Sequence, residues 1–472
     1  MWIAIIIATL HLLGILSAIK AVMESRTSQG AIAWVLFLVF VPYVSLVAYW
    51  ILGRSKFEGY YSSRHLVDEE VEQKIRKLLK DIEPYREGGM GLYQPSGVAE
   101  KLASFPILTG NSVTLLVDGD ATFDSIIEGI DQAESYILFQ FFIVKDDEIG
   151  NRVKRHLVAK AKEGVKIYFL YDEVGSHQLG STYRNELQKA GVHIHQFNTR
   201  KGISNKFQIN FRNHRKVVVV DGRSAWIGGH NVGDEYLSRD PKFGHWRDTH
   251  IKISGPSVLA AQLSFLEDWY WATEEFIDAI SWRPSPSDGD NKKVLIVPSG
   301  PADKLETAAL MFHHAITAAK HRFWIASPYF VPDDSILSAL QLAGLRGVDV
   351  RILIPDKPDH LLVYLAAFTY FEQVVETGVR FFRYKDGFLH EKVMLIDDDV
   401  STVGTANFDN RSFRLNFEIT AVVNDHTFSQ EIEKMFLDDF AHSHEMTQED
   451  IDKHSFPFKL ATRLARLTSP IQ

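Results

Sequence analysis

His214, Lys216, Asp221, Gly228 and Asn231 stand at offsets 0, 2, 7, 14 and 17, and His390, Lys392, Asp397, Gly404 and Asn407 repeat all five offsets. Imidazole, ammonium and carboxamide together suit a phosphoryl group. Histidine can be a nucleophile or an acid near neutral pH, lysine supplies full positive charge, and asparagine supplies a neutral donor to a phosphoryl oxygen. If each position matched by chance about one time in twenty, a single copy would arise at a given site roughly once in three million trials, so two copies are not accidental.

Displacement at a phosphodiester wants a nucleophile on one side of phosphorus and a proton donor to the leaving oxygen on the other, and two copies supply both. One neutral histidine would attack phosphorus to give a phosphohistidine. The other, protonated, would give its proton to the departing alcohol and take one from the incoming hydroxyl. Lys216 and Lys392 would offset the charge on the phosphoryl oxygens, with Asn231 and Asn407 as neutral donors, so the reading requires no metal and no other cofactor. Each imidazole also needs a group that fixes its tautomer. Asp248 and Glu418, carboxylates on apolar β-like runs downstream of the two motifs, are the candidates. Both motifs are intact, so the residues alone do not say which histidine is the nucleophile.

The spacing also says what must position these groups. Val217 to Val220 and Val393 to Ile396 read as strands, in which residues two apart project from one face, so each His and Lys point together. A turn and a second β-rich run then return the Asn to the same end. Asp221 and Asp397 belong to the catalytic motif, but their odd parity turns them away, as supporting residues that fix the turn.

The motif sits inside a longer repeat. Ala133 to Asp147 can be laid over Lys320 to Asp334, each a buried strand running into a turn, and Gly164-Val165 matches Gly347-Val348 after the helix that follows. Alternating strands and helices predict an α/β fold. The expected organisation is two homologous half-domains, 111–280 and 293–472, each a mixed β-sheet flanked by helices. A linker over 281–292 joins them, an amphipathic connector over 54–110 precedes them, and a basic tail ends the second.

At the N-terminus, Trp2 to Ile19 and Ala31 to Leu52 are long runs without charge. Each approaches the roughly 20 residues that span a bilayer, which predicts two transmembrane helices within residues 1–53. The connector between them carries Lys20 and Arg26, and Arg54, Lys56 and Arg64 follow the second run. That slight margin places the catalytic part in the cytoplasm. The chain has 472 residues and a net charge of -9, which argues against a nucleic-acid partner. It has no cysteine, which excludes disulfides, thiolate metal sites and thiol nucleophiles.

The doubled His-x-Lys-x4-Asp with trailing Gly and Asn resembles the signature of the phospholipase D superfamily. The N-terminal hairpin and the segments Asn210 to Lys216, Ser327 to Asp334, Gly404 to Ser412 and Leu415 to Glu418 resemble, more narrowly, the bacterial cardiolipin synthases. The resemblance covers nearly the whole chain. It implies two phospholipase D-like half-domains behind a transmembrane helical hairpin, in a bacterial inner membrane. It implies transfer of a phosphatidyl group from one phosphatidylglycerol to another with release of glycerol, His214 being the nucleophile and His390 the acid and base. One departure is Gly229 in the first half against Thr405 in the second, so Thr405 is expected to add a hydroxyl donor to the phosphate site. Phospholipase D-type hydrolysis, or transfer to another alcohol, is the alternative.

Three further features have bland and sharp readings. The acid-free stretch with Arg200, Lys201, Lys206, Arg212, Arg215 and Lys216 would suit anionic headgroups or be a solvated loop. Lys459 to Leu467 would lie in a membrane interface or pack on the protein. His193 and His195 read as a core or surface pair rather than a metal site. The sequence is silent on oligomeric state.

Overall fold

The structure, a computed structural model, describes residues 1–53, 56–57, 60, 69–86, 97–198 and 210–472. The first half contains β1 (Leu108–Val117), β2 (Tyr136–Phe141), β3 (Lys166–Asp172), β4 (His193–Phe197), β5 (Arg212–Asn213), β6 (Val217–Val220), β7 (Ser224–Gly228), β8 (His245–Arg247) and β9 (Thr249–Ser254). The second contains β10 (Lys292–Ser299), β11 (Arg322–Ala326), β12 (Phe330–Val331), β13 (Asp349–Pro355), β14 (Arg380–Tyr384), β15 (Gly387–Leu389), β16 (Val393–Ile396), β17 (Val400–Gly404), β18 (Phe408–Asp409), β19 (Asn416–Asn424) and β20 (Ser443–Glu445).

The main strand order reads β4-β3-β2-β6-β7-β9-β1 and then β10-β19-β17-β16-β11-β13-β14-β20. The two series repeat one another outward from the antiparallel junction of β1 and β10, where Leu108 faces Val294. Within each half β2, β3 and β4, or β11, β13 and β14, run parallel, while the motif strand pairs antiparallel with β2 or β11. Strands such as β6, buried at every position, belong in a sheet with both faces covered. Helices including Glu148–Lys162 and Asp334–Leu345 follow the first strand of each parallel set, as the sequence repeat predicts.

The core ignores the boundary between halves. One cluster contains Ile253 and Phe265 from the first, Val294, Phe323 and Phe417 from the second, and Phe57, Tyr60, Leu78 and Ile82 from the stretch read as a connector. Phe57 is fully buried, its ring 5.4 Å from Phe211, 5.0 Å from Trp271 and 5.8 Å from Phe417. Phe57, Tyr60, Leu78 and Ile82 thus pack into a core that both halves share.

At the N-terminus, α1 (Trp2–Glu24) is among the described residues the helix long and apolar enough to cross a membrane. The second apolar run departs from the single span expected of it. It forms α2 (Ser28–Phe40) and α3 (Pro42–Leu52), broken at Val41. Pro42 is the cause, because it lacks the N–H that would continue the ladder and its ring clashes with the preceding turn, whereas the first position of a new helix suits it.

The C-terminal helix Phe456–Arg466 packs on the helix Leu361–Val374, burying Thr462 and Ala465, yet leaves Phe456 at 77% and Leu467 at 76% exposure. His193 and His195 lie against aromatic rings, 5.1 Å from Tyr168 and 5.1 Å from Trp269. Arg200, Lys201 and Lys206 of the basic stretch lie outside the described residues.

Candidate active site

Each motif begins against a strand of the other half. β5, just before His214, pairs in parallel with β19 of the second half, and β15, just before His390, pairs in parallel with β8 of the first. The histidine backbones continue the exchange: His214 N–H donates to Phe417 O at 2.9 Å and His390 N–H to Arg247 O at 2.8 Å. The chain then returns to its own sheet at Val217 and Val393. His214, Lys216, His390 and Lys392 thus lie on the crossing segments, not within the strands, as parity alone would have put them.

The crossing delivers each imidazole to a carboxylate of the other half. Nδ1 of His214 lies 3.0 Å and 2.9 Å from the two oxygens of Glu418, and Nδ1 of His390 lies 2.8 Å from Asp248 Oδ2. Asp248 and Glu418 occupy corresponding places, two residues before the partners of Gly228 and Gly404 in neighbouring strands. A neutral ring donating Nδ1–H to a carboxylate presents its Nε2 lone pair to substrate.

The two carboxylates are held differently. Glu418 receives Thr405 Oγ1–H at 2.5 Å, Ser412 Oγ–H at 2.8 Å and Asn416 Nδ2–H at 3.2 Å. Asp248 accepts the N–H of Thr249 at 2.8 Å. Gly229, the counterpart of Thr405, makes room for it, since a Cβ there would stand 1.9 Å from Asp248 Oδ1. The Thr405 hydroxyl, expected as a donor at the phosphate site, gives its proton to Glu418 and accepts the N–H of Ile419 at 2.9 Å.

Lys216 Nζ donates to His214 O at 2.7 Å, and Lys392 Nζ lies 2.8 Å from His390 Nδ1 and against His390 O. Both amines are buried, and burial lowers Lys216 to about 7 and Lys392 to about 8 against the pull of Glu418 and Asp248. Burial also drives the His214 imidazole down to about 4, Lys216 and Lys392 adding to the shift. His390 falls well below the ordinary range through burial and then Lys392 and Lys216. Burial alone would raise Glu418, but His214, Lys216 and the Thr405 hydroxyl hold it below the usual carboxylate range. That each histidine feels the other half's lysine puts all four groups in one electrostatic site.

Asn231 accepts Ile143 N–H at 3.0 Å and donates to Tyr236 OH at 3.1 Å, while Asn407 Oδ1 is buried with no hydrogen-bond partner among the described residues. Asp221 and Asp397 stay outside the site. Each takes positive φ, 52° and 50°, so the strand ends there. The Asp221 carboxylate accepts the N–H groups of Glu134, Ser135 and Tyr136 at 2.8 Å each, and Asp397 those of Lys320, His321 and Arg322.

Sequence reasoning missed the middle residue of each His-x-Lys. Arg215 is buried, bonds Asp268 at 2.9 Å and donates Nε–H to Glu418 O at 3.0 Å. Glu391 is buried, lies 2.9 Å from Arg247 Nη2 and accepts Thr249 Oγ1–H at 2.5 Å. Arg247 in turn forks onto Asp439 at 2.7 Å and 3.0 Å. The available signal was a charged residue in a strand-like run, on the face opposite the His and Lys, where burial demands a partner.

Similarity to known proteins agrees with this geometry. Residues 126–244 and 312–440 match the family described as cardiolipin synthase, PLD-like domain, and residues 3–54 match one described as phospholipase D-nuclease N-terminal. The chain is 49% identical to cardiolipin synthase A of Pseudomonas fluorescens strain SBW25 over 99% of this chain and 98% of that one. It is 48% identical to cardiolipin synthase A of Pseudomonas putida strain W619, again over 99% and 98%. The crystal structure of phosphatidylserine synthase from Haemophilus influenzae Rd KW20 shares the fold, with a TM-score of 0.58 and 18% identity over 79% of this chain and 99% of that chain.

Proposed function

We infer the reaction from the premise that this chain belongs to the cardiolipin synthase family of phospholipase D-like proteins: a membrane-associated phosphatidyltransferase acting on phospholipid. The donor and acceptor are both phosphatidylglycerol, and the products are cardiolipin and glycerol. The crossed carboxylate–imidazole pairs carry the reading, because they hold two neutral rings in one buried site, each with its Nδ1 occupied and its Nε2 free for chemistry.

His214 is the nucleophile. Its ring is held by the more heavily hydrogen-bonded carboxylate, it is neutral at physiological pH, and its Nε2 attacks phosphorus as the P–O bond to the distal glycerol breaks. His390 gives its Nε2 proton to that oxygen. The phosphate's own negative charge, entering between Lys216 and Lys392, favours the protonated form of His390 that burial and the two lysines disfavour. With glycerol gone, His390 takes the proton from a hydroxyl of the second phosphatidylglycerol, whose oxygen attacks phosphorus and releases His214. One phosphodiester replaces another, so the exchange needs no energy source. Burial of both rings keeps water from competing with the lipid alcohol.

The catalytic body lies on the cytoplasmic face of the inner membrane, where donor and acceptor share one leaflet. The decisive experiment supplies purified protein with phosphatidylglycerol labelled in its headgroup glycerol and phosphate. Cardiolipin with one equivalent of free glycerol is the expected result, and phosphatidic acid as the sole lipid product overturns the synthase in favour of a hydrolase.

A further inference from the structure

The three N-terminal helices are not stacked end to end. Descending α1 toward its C-terminus, His11 lies 5.7 Å from the ring of Tyr43, Gly14 meets Leu38 O and Pro42, and Ser17 accepts Trp50 Nε1–H at 3.2 Å. Lys20 then sits over Trp50. α3 therefore runs alongside α1 in the same direction, and α2 runs against both. Trp34 near the start of α2 packs on Tyr49 near the end of α3, with ring centroids 5.3 Å apart. The Val41–Pro42 break is a reversal, not a kink.

Both ends of this reversal reach the catalytic body. Arg26, in the turn before α2, lies 2.8 Å from Glu306 and 3.1 Å from Asp333. Four residues past Gly53, Phe57 is buried between the two halves. A cavity of about 550 Å³ is lined by Arg26, Gly30 and Trp34 from one end, by Leu52 and Gly53 from the other, and by Arg414 of the catalytic body. A second full crossing would put Arg26 and Phe57 on opposite sides of the bilayer, and the structure holds them on one.

We infer that α2 and α3 form a re-entrant hairpin that enters and leaves the bilayer through a single leaflet, beside one complete crossing by α1. Lengths agree. The 23 residues of α1 give about 34 Å at 1.5 Å per residue, enough for a hydrocarbon core of about 30 Å, whereas α2 alone gives about 20 Å. Level with His11 and Gly14, the tip stops near mid-bilayer. Broken backbone at that depth needs internal partners. Ser45 Oγ–H supplies one to Val41 O at 2.8 Å, and Gly14 lets Leu38 O come within 2.4 Å of where a Cβ would be. Outward faces are apolar, with Ile5, Leu12, Leu16, Leu36 and Val44 exposed.

The topology also changes the charge argument. Lys20, Arg26 and Lys56 now all fall on the side of the catalytic body, and no Lys or Arg precedes Lys20. The charge bias for a cytoplasmic catalytic body becomes one-sided. This inference rests on the membrane association stated under the proposed function, but its test reads no lipid product, so either can fail alone.

The chain has no cysteine, so single cysteines report sidedness directly. Trp2→Cys, Gln29→Cys, Val44→Cys and Lys189→Cys, each at an exposed position, are to be labelled with a membrane-impermeant maleimide in right-side-out and inside-out vesicles. Each variant is first checked for transferase activity, with Ser28→Cys or Tyr43→Cys replacing one that fails. Gln29→Cys is expected to label from the same face as Lys189→Cys, Trp2→Cys from the other face, and Val44→Cys only after detergent. Labelling of Gln29→Cys from the face opposite Lys189→Cys, or of Val44→Cys from the Trp2 face, overturns the re-entrant hairpin.

Discussion

Glu418 Oε2 lies 2.9 Å from Nδ1 of His214, although 204 residues separate them in the chain. The reciprocal pair, Asp248 and His390, is 142 residues apart. Neither half therefore contains a complete histidine site, and disrupting one carboxylate disables the imidazole of the other half.

Glu418→Gln keeps the shape of the side chain but removes the charge that fixes and supports the His214 ring and replaces one acceptor oxygen by an NH2 donor. A comparable carboxylate loss in a serine-protease triad costs about 10⁴-fold in kcat, and a fall on the order of 10³ to 10⁴ is expected here. Steady-state turnover of phosphatidylglycerol measures it. Retention of more than about a tenth of wild-type kcat would show that the carboxylate is not an orienting group.

His390→Asn is expected to let the covalent intermediate form slowly and then persist, because nothing takes the proton from the acceptor alcohol. Intact-protein mass spectrometry after exposure to phosphatidylglycerol would find one phosphatidyl group, on His214. The His214→Asn protein should carry none, and the converse pattern would exchange the two roles.

Burial lowers Lys216 to about 7 and Lys392 to about 8. Each is charged below its pKa and neutral above it, so affinity for an inorganic phosphate or tungstate inhibitor should weaken as pH rises from 7 to 9. Inhibition constants measured across that window test the sign. The slope should lessen in Lys392→Met, and an affinity independent of pH would mean both amines stay charged.

Thr405→Val removes the hydroxyl donor to Glu418 at nearly constant volume. Hydrogen bonds to charged groups contribute about 1.5–3 kcal/mol, so kcat should fall about tenfold or more with KM little changed. A rise in KM with unchanged kcat would instead put the hydroxyl on the substrate.

Asp221→Ala leaves three backbone N–H groups without their acceptor. A loss of about 1–3 kcal/mol of stability is expected, mainly from the part-buried Tyr136 N–H, seen as a lower thermal midpoint. Activity per folded molecule should stay near wild type at a temperature where the variant is folded. Abolished activity in a folded variant would return Asp221 to the reacting centre.

Sequence by itself determined the chemistry: two equal sets of His, Lys and Asn, repeated within an α/β pattern, leave little besides phosphoryl transfer for them to do, and periodicity placed β6 and β16 beside them. The turn-fixing place of Asp221 and Asp397 was expected from the residues that follow the motif strand, since a strand end is a local property. Everything that depends on which strands become neighbours came from the tertiary structure. β5 and β15 pair with strands of the other half, so the carboxylate serving each histidine lies in that half. Thr405 bonds Glu418, Arg215 and Glu391 are buried ties between the halves, and the second apolar run doubles back at Pro42. Composition registers that a run is apolar, but the direction in which it leaves a proline is set by what it packs against.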